Sequence, residues 1–127
     1  MEFSLDRDES QQLTDERVTV DVGERDGVVV VTVGGKVLYD TLAPLADALA
    51  RLTTRPGLCV VLDLAAVPMC DSSGLNLFVR TRSQLTATGG WLRLSGTRPI
   101  VDSVLHITNL DRILPRYETV EDATSAA

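Results

Sequence analysis

No apolar stretch in this chain of 127 residues approaches the roughly 18 residues that a helix needs to cross a bilayer. The N-terminus also lacks the basic-then-apolar pattern of a secretory signal. Both absences point to a soluble, cytoplasmic protein without a membrane partner. Metal-binding residues are scarce: the only cysteines are Cys59 and Cys70, and the only histidine is His106. Their spacing makes no metal site, and no metal or other cofactor is expected. Both cysteines sit in apolar surroundings and read as buried free thiols. A clustered basic face is missing too. The net charge of −6 argues against nucleic-acid binding, which needs such a face.

The charge is unevenly placed. Residues 1–16 carry six acids against Arg7, a net of −5, which leaves −1 for the remainder. This segment, rich in Gln, Asp, Glu and Ser, is expected to be a disordered acidic leader. A hydrophobic content of 44% supports one domain with a core over residues 17–127.

Strands and helices alternate in that domain. Val18, Val20 and Val22 alternate with polar residues, as in a half-buried strand beginning near Arg17. Asp26-Gly27 marks a hairpin turn. Val28–Val33, with five valines in six residues, reads as a strand buried on both faces. A helix follows, with Asp40 or Thr41 as its cap, Pro44 in its first turn and Leu42, Leu45, Leu49 and Leu52 as its apolar stripe. Leu58–Leu64 is the third strand. A second helix spans about Ser72–Thr86, with Leu75, Phe78, Val79 and Leu85 facing inward, and Trp91–Leu94 is a shorter strand. Thr97 is expected to cap a third helix whose Ile100, Val101, Val104 and Leu105 face the core, with His106 packed on that apolar face. Asn109 suits a left-handed C-cap, and Thr119 to Asp122 resembles a capping box opening a short terminal helix. Crossover helices imply parallel strands, and the initial hairpin makes the sheet mixed. The expected fold is α/β: a mixed, mostly parallel sheet of four to five strands with helices packed on it.

The third strand runs through Val60-Val61-Leu62-Asp63-Leu64 to Pro68 and meets Asp71-Ser72-Ser73-Gly74 at the start of a helix. Such an N-terminus has unpaired N–H groups and partial positive charge, so it tolerates a phosphate. A serine nucleophile is not supported, because neither serine has a glycine two residues before it, as a G-x-S-x-G elbow requires. A nucleotide loop is not supported either, since no G-x-x-x-x-G-K-[ST] pattern is present. No catalytic constellation appears, and no enzyme activity is expected. Two readings stay open on the residues alone: a plain helix cap, or a phosphorylatable serine on a docking surface. At helical spacing Ser73, Leu77, Arg80, Thr81 and Gln84 form a stripe bordered by Asn76, separate from the Phe78 core face.

Asp63-Leu64, Asp71-Ser72-Ser73-Gly74-Leu75 and Leu110-Asp111-Arg112-Ile113-Leu114, followed by Tyr117-Glu118 and Glu121-Asp122-Ala123, together resemble bacterial STAS-domain anti-sigma factor antagonists. The likeness covers about Arg17 to Ala123, with three separated motifs in the family's order. It implies a STAS domain that binds an anti-sigma factor serine kinase and so releases a sigma factor. By the same resemblance Ser73, just before the glycine, is the residue phosphorylated to end binding, with Ser72 as the cap, and a PP2C-type phosphatase reverses the modification. Asp71, Ser72, Ser73, Gly74, Asn76, Leu77 and Arg80 are the candidate partner-binding residues, on a protein expected to be monomeric. The chain departs from the family pattern at Gly35-Lys36-Val37-Leu38, where Gly-Glu-Leu-Asp is usual. Asn76 also replaces a commonly small residue. The alternative that the departure raises is a STAS scaffold or small-ligand sensor without a working phosphoswitch.

Overall fold

The computed structural model describes residues 17–126; the expected disordered leader, residues 1–16, lies outside the described residues. Five strands pair in sequence order, with β1 (Thr19–Arg25) antiparallel to β2 (Val28–Gly34) and the rest parallel. Those are β3 (Cys59–Ala66), β4 (Trp91–Ser95) and β5 (Arg116–Tyr117). The helices are α1 (Ala43–Leu52), α2 (Ser72–Ala87), α3 (Pro99–Ile107) and α4 (Val120–Ser125). The mixed, mostly parallel α/β sheet matches the expectation, and β5 supplies the fifth strand.

Alternation along the strands sorts the side chains into two layers. Val31, Leu62 and Leu94 stand in register across β2, β3 and β4. They pack with Leu45 and Leu49 of α1, Phe78 and Leu85 of α2, and Val101 and Leu105 of α3. The opposite face holds a smaller cluster of Val28, Val61 and Ala123, flanked by Cys59, Trp91 and Tyr117 beneath α4. That face is only partly covered: Thr32 is exposed and Val30 half-buried, so β2 is not buried on both faces as its composition suggested. On β1, an edge strand, Val22 remains 48% exposed. The hairpin turn has Asp26 at φ 54° and Gly27 at φ 80°, the left-handed pair of a tight two-residue turn.

The helix starts differ from expectation. Leu42 stands at the N-cap of α1 without a side-chain bond, because the Thr41 hydroxyl is turned back into the preceding loop. Arg98 occupies the α3 N-cap, extended as the residue before a proline must be, while the Thr97 hydroxyl donates to Asp102 Oδ1. Only Val101 and Leu105 of α3 are buried; Ile100 is 53% exposed. His106 is exposed and pairs with Asp111, 3.0 Å away, rather than packing on the core. Two other expectations hold: Asn109 is left-handed at φ 64°, and the Thr119 hydroxyl accepts the Asp122 N–H at 3.0 Å.

Arg93 ties α4 to the sheet. Its guanidinium lies 3.7 Å from the centre of the Trp91 ring, and Nη1 donates to Ala123 O (2.9 Å) and Ala126 O (3.1 Å). Charge-assisted bonds to the last helical carbonyls and the cation–π contact together make Arg93→Ala cost about 2 kcal/mol. Urea denaturation reads the loss, and hydrogen exchange of the α4 amides accelerates ahead of the rest of the chain.

Candidate functional site

The site forms where two crossover connections meet at the carboxyl ends of the parallel strands, the usual place for ligands and partners in such sheets. One connection joins β2 to α1 and the other joins β3 to α2. An isolated parallel bridge between Val37 and Cys70 stitches them together. The Val37 N–H donates to Met69 O (3.0 Å), and the Asp71 N–H donates to Val37 O (3.2 Å).

Asp71 is the hinge of this arrangement. Its Oδ1 accepts the Gly74 N–H (3.1 Å), making it the N-cap of α2, and its Oδ2 accepts the Tyr39 N–H (3.0 Å) from the other connection. Ser72, which the resemblance made the cap, is instead the exposed first residue of the helix. Asp71 wins the role because it is the last extended residue, at ψ −173°, so its carboxylate points back at the Gly74 amide. Around Tyr39 the loop is closed by Thr41, whose hydroxyl accepts the Leu38 N–H (2.9 Å) and donates to Lys36 O (2.6 Å).

Gly74 is required by the close packing beneath. A Cβ there would lie 2.5 Å from Cys70 Sγ, 2.8 Å from Val37 O and 2.9 Å from Val37 Cγ1. The Cys70 thiol is pushed up to about 12, first by burial and second by the neighbouring Asp71 carboxylate. It stays protonated at neutral pH and serves as packing, not as a nucleophile. Both cysteines are free, as expected, though Cys59 is only half-buried. No cluster of metal-ligating residues occurs among the described residues.

Ser73 is the second residue of α2, half-buried, on the wall of a groove of roughly 460 Å³. Asn76 and Arg80 line the same groove with Tyr39, Leu42 and Val79. The structure therefore gathers Asp71, Ser73, Asn76 and Arg80 and holds them on buried Gly74. It removes Leu77 from the surface: that side chain is 6% exposed and belongs to the main core. Thr81 is likewise buried, its hydroxyl donating to Leu77 O at 2.7 Å. The face of α2 turned to the core is wider than the periodicity of Leu75, Phe78 and Leu85 implied. Tyr39, 81% exposed, was missed by sequence reasoning. Its signal was there: an aromatic in a strand-to-helix loop, where binding residues concentrate. Leu38, at the position where the family has Asp, lines a neighbouring cavity with Lys36, Asp40 and Thr41.

The site is a capped helix N-terminus with a half-buried serine beside an open groove, on a small mixed α/β domain. The family model described as STAS domain matches residues 19–123. The anti-sigma-F factor antagonist RsfB of Mycobacterium tuberculosis is 29% identical over 109 residues, 84% of this chain and 86% of that protein. A crystal structure of an anti-sigma factor antagonist from Mycobacterium paratuberculosis superposes with a TM-score of 0.79 at 31% identity, covering 87% of this chain and 94% of that one. The chain belongs to the STAS-domain family of anti-sigma factor antagonists. The same fold, at 18% and 17% identity, is found in SpoIIAA in its unphosphorylated and phosphorylated forms, with TM-scores of 0.70 and 0.65. These cover 84% of this chain in each case, and 93% and 96% of SpoIIAA. Among the described residues no helix is long and apolar enough to cross a membrane.

Proposed function

We propose that this antagonist binds an anti-sigma factor that is a serine kinase, through the groove beside Ser73, and thereby frees a sigma factor. Phosphorylation of Ser73 ends that binding, and a PP2C-type phosphatase restores the binding form. The protein acts as a monomer in a bacterial cytoplasm, with residues 17–127 as the binding domain.

The observation that carries the reading is the position of Ser73 at the second residue of α2, on the wall of the groove. A phosphoserine there brings about −1.5 to −2 charges to a helix N-terminus, where orphan N–H groups and the helix dipole favour an anion. The fold need not rearrange; only the groove surface changes sign. That SpoIIAA, a protein with this fold, has been solved in both forms supports a domain that tolerates the modification.

The test is incubation of the full chain with ATP and each serine-kinase anti-sigma factor of the same genome, followed by intact-mass and fragment analysis. One phosphate mapped to Ser73, lost in Ser73→Ala while binding survives, is the expected result. Stable co-purification without any phosphate transfer would instead establish the scaffold reading, which Leu38 in place of the family's acid favours.

A further inference from the structure

Ser73, Asn76 and Arg80 form a ladder on one face of α2. Asn76 is three residues beyond Ser73 and Arg80 four beyond Asn76, the two spacings at which helix side chains are neighbours. From Ser73 to Arg80 the helix makes just under two turns, so the two stand about 10 Å apart along its axis. All three line the groove closed by Tyr39, Leu42 and Val79. Long helical side chains lean toward the helix N-terminus, so the guanidinium of Arg80 reaches back toward Asn76 and Ser73.

Arg80 is the cation of this groove. The ion pairs found among the described residues, His106–Asp111 and Arg116–Asp102, lie elsewhere. Leu42 and Val79 are half-buried and pack against the main core, so one wall of the groove is apolar. A charge pair against such a wall is screened less than one in open water. Asp71 works the other way. Its carboxylate, two residues before Ser73 and accepting the Gly74 and Tyr39 amides, opposes any anion added there. More of the task of holding such an anion therefore falls on Arg80.

We infer that phosphoserine at position 73 is clamped by Arg80, with the Asn76 amide as a second donor. The inference rests on Ser73 being the modified residue, as proposed above, and adds how the modified groove is closed. A phosphate offers three acceptor oxygens, and a guanidinium presents a planar fork of donors that matches them. Arg80 spans the gap from one end and the phosphate from the other. Phosphorylation then changes the groove twice. It adds an anion where a partner meets a hydroxyl, and it withdraws the cation from the surface which that partner meets.

The test uses the full chain with phosphoserine installed at position 73 during synthesis, so it needs no kinase. Phosphorus resonance followed against pH gives the second ionisation of the phosphate, ordinarily at about 6. Arg80 favours the dianion, so Arg80→Gln should raise this midpoint by roughly half a pH unit, the scale of one partly exposed charge pair. Asn76→Ala should raise it less. Arg80→Lys should fall between wild type and Arg80→Gln, because an ammonium keeps the charge but not the fork. Arg82→Gln removes the same charge from α2 outside the groove and should leave the midpoint in place. The Arg80 Nε–H resonance should move on phosphorylation while that of Arg82 stays. An Arg80→Gln midpoint equal to wild type, or an equal rise in Arg82→Gln, would overturn the clamp. Absence of phosphate transfer to Ser73 in the kinase incubation bears on the phosphoswitch alone, so the two failures are told apart.

Discussion

Ser73→Asp lowers affinity for the cognate anti-sigma factor by at least a hundredfold while leaving the fold as stable as wild type or slightly more so. The two effects part because they arise on different sides of the same residue. Toward the protein, the new carboxylate meets the α2 N-terminus, where an acid typically adds about 0.3–1 kcal/mol. Asp71, ionised two residues away while it accepts the Gly74 and Tyr39 amides, opposes part of that gain, so the net change in stability is small. Toward the partner, the charge stands in the groove of Asn76 and Arg80. A surface that fits a neutral hydroxyl must then desolvate an anion. Like-charge juxtaposition at an interface costs several kcal/mol, and each 1.4 kcal/mol is a factor of ten. Calorimetric titration gives the affinity and urea denaturation the stability. Wild-type affinity in Ser73→Asp would sink the phosphoswitch; equal losses in both measurements would make Ser73 a structural residue. Ser73→Ala separates these further, because it keeps the partner and loses only the hydroxyl.

Gly74→Ala costs about 1–3 kcal/mol of stability, although alanine is normally the better helix former. The added methyl would stand 2.5 Å from Cys70 Sγ and 2.8 Å from the Val37 carbonyl. The sulfur can turn, but the carbonyl accepts the Asp71 N–H and cannot withdraw without breaking the bridge between the two connections. The start of α2 must therefore shift outward, carrying Ser73 and loosening the Asp71 bond to Tyr39. Partner affinity falls with stability, and amide shifts spread from Val37 to Asn76. Cys70→Ala in the same chain should recover part of the lost stability by clearing the nearest atom. If Gly74→Ala were as stable as wild type, the close approach of Val37 to α2 would not be needed for the fold.

Much of this architecture was legible in the residues. The valine-rich β2, the Asp26-Gly27 turn, the apolar β3 and the Thr119 cap each act through local preference, and each appears where it was expected. So does Ser73 at the helix start, because Asp and Ser favour that position for hydrogen-bonding reasons that need no neighbours. The difficulties came where a side chain had two local options. Thr41 is a good cap residue, yet it closes the Lys36–Leu38 loop instead. Ile100 and His106 continue the apolar periodicity of α3 but look outward. Tyr117 lies in β5, a two-residue strand too short to leave any periodic signal.

By itself, then, the sequence determined the alternation of strands and helices, the mixed parallel sheet and the serine at the start of α2. Helical and strand periods are properties of the backbone, and the apolar residues follow them wherever the chain folds. Only the tertiary structure decided which surface surrounds that serine. A helical period gives the angle between Leu77 and Ser73, but not the direction from which the sheet and α1 approach. Their approach buries Leu77 and Thr81, brings Tyr39 to the groove through the Asp71 carboxylate, and leaves no room at Gly74 for a single methyl group.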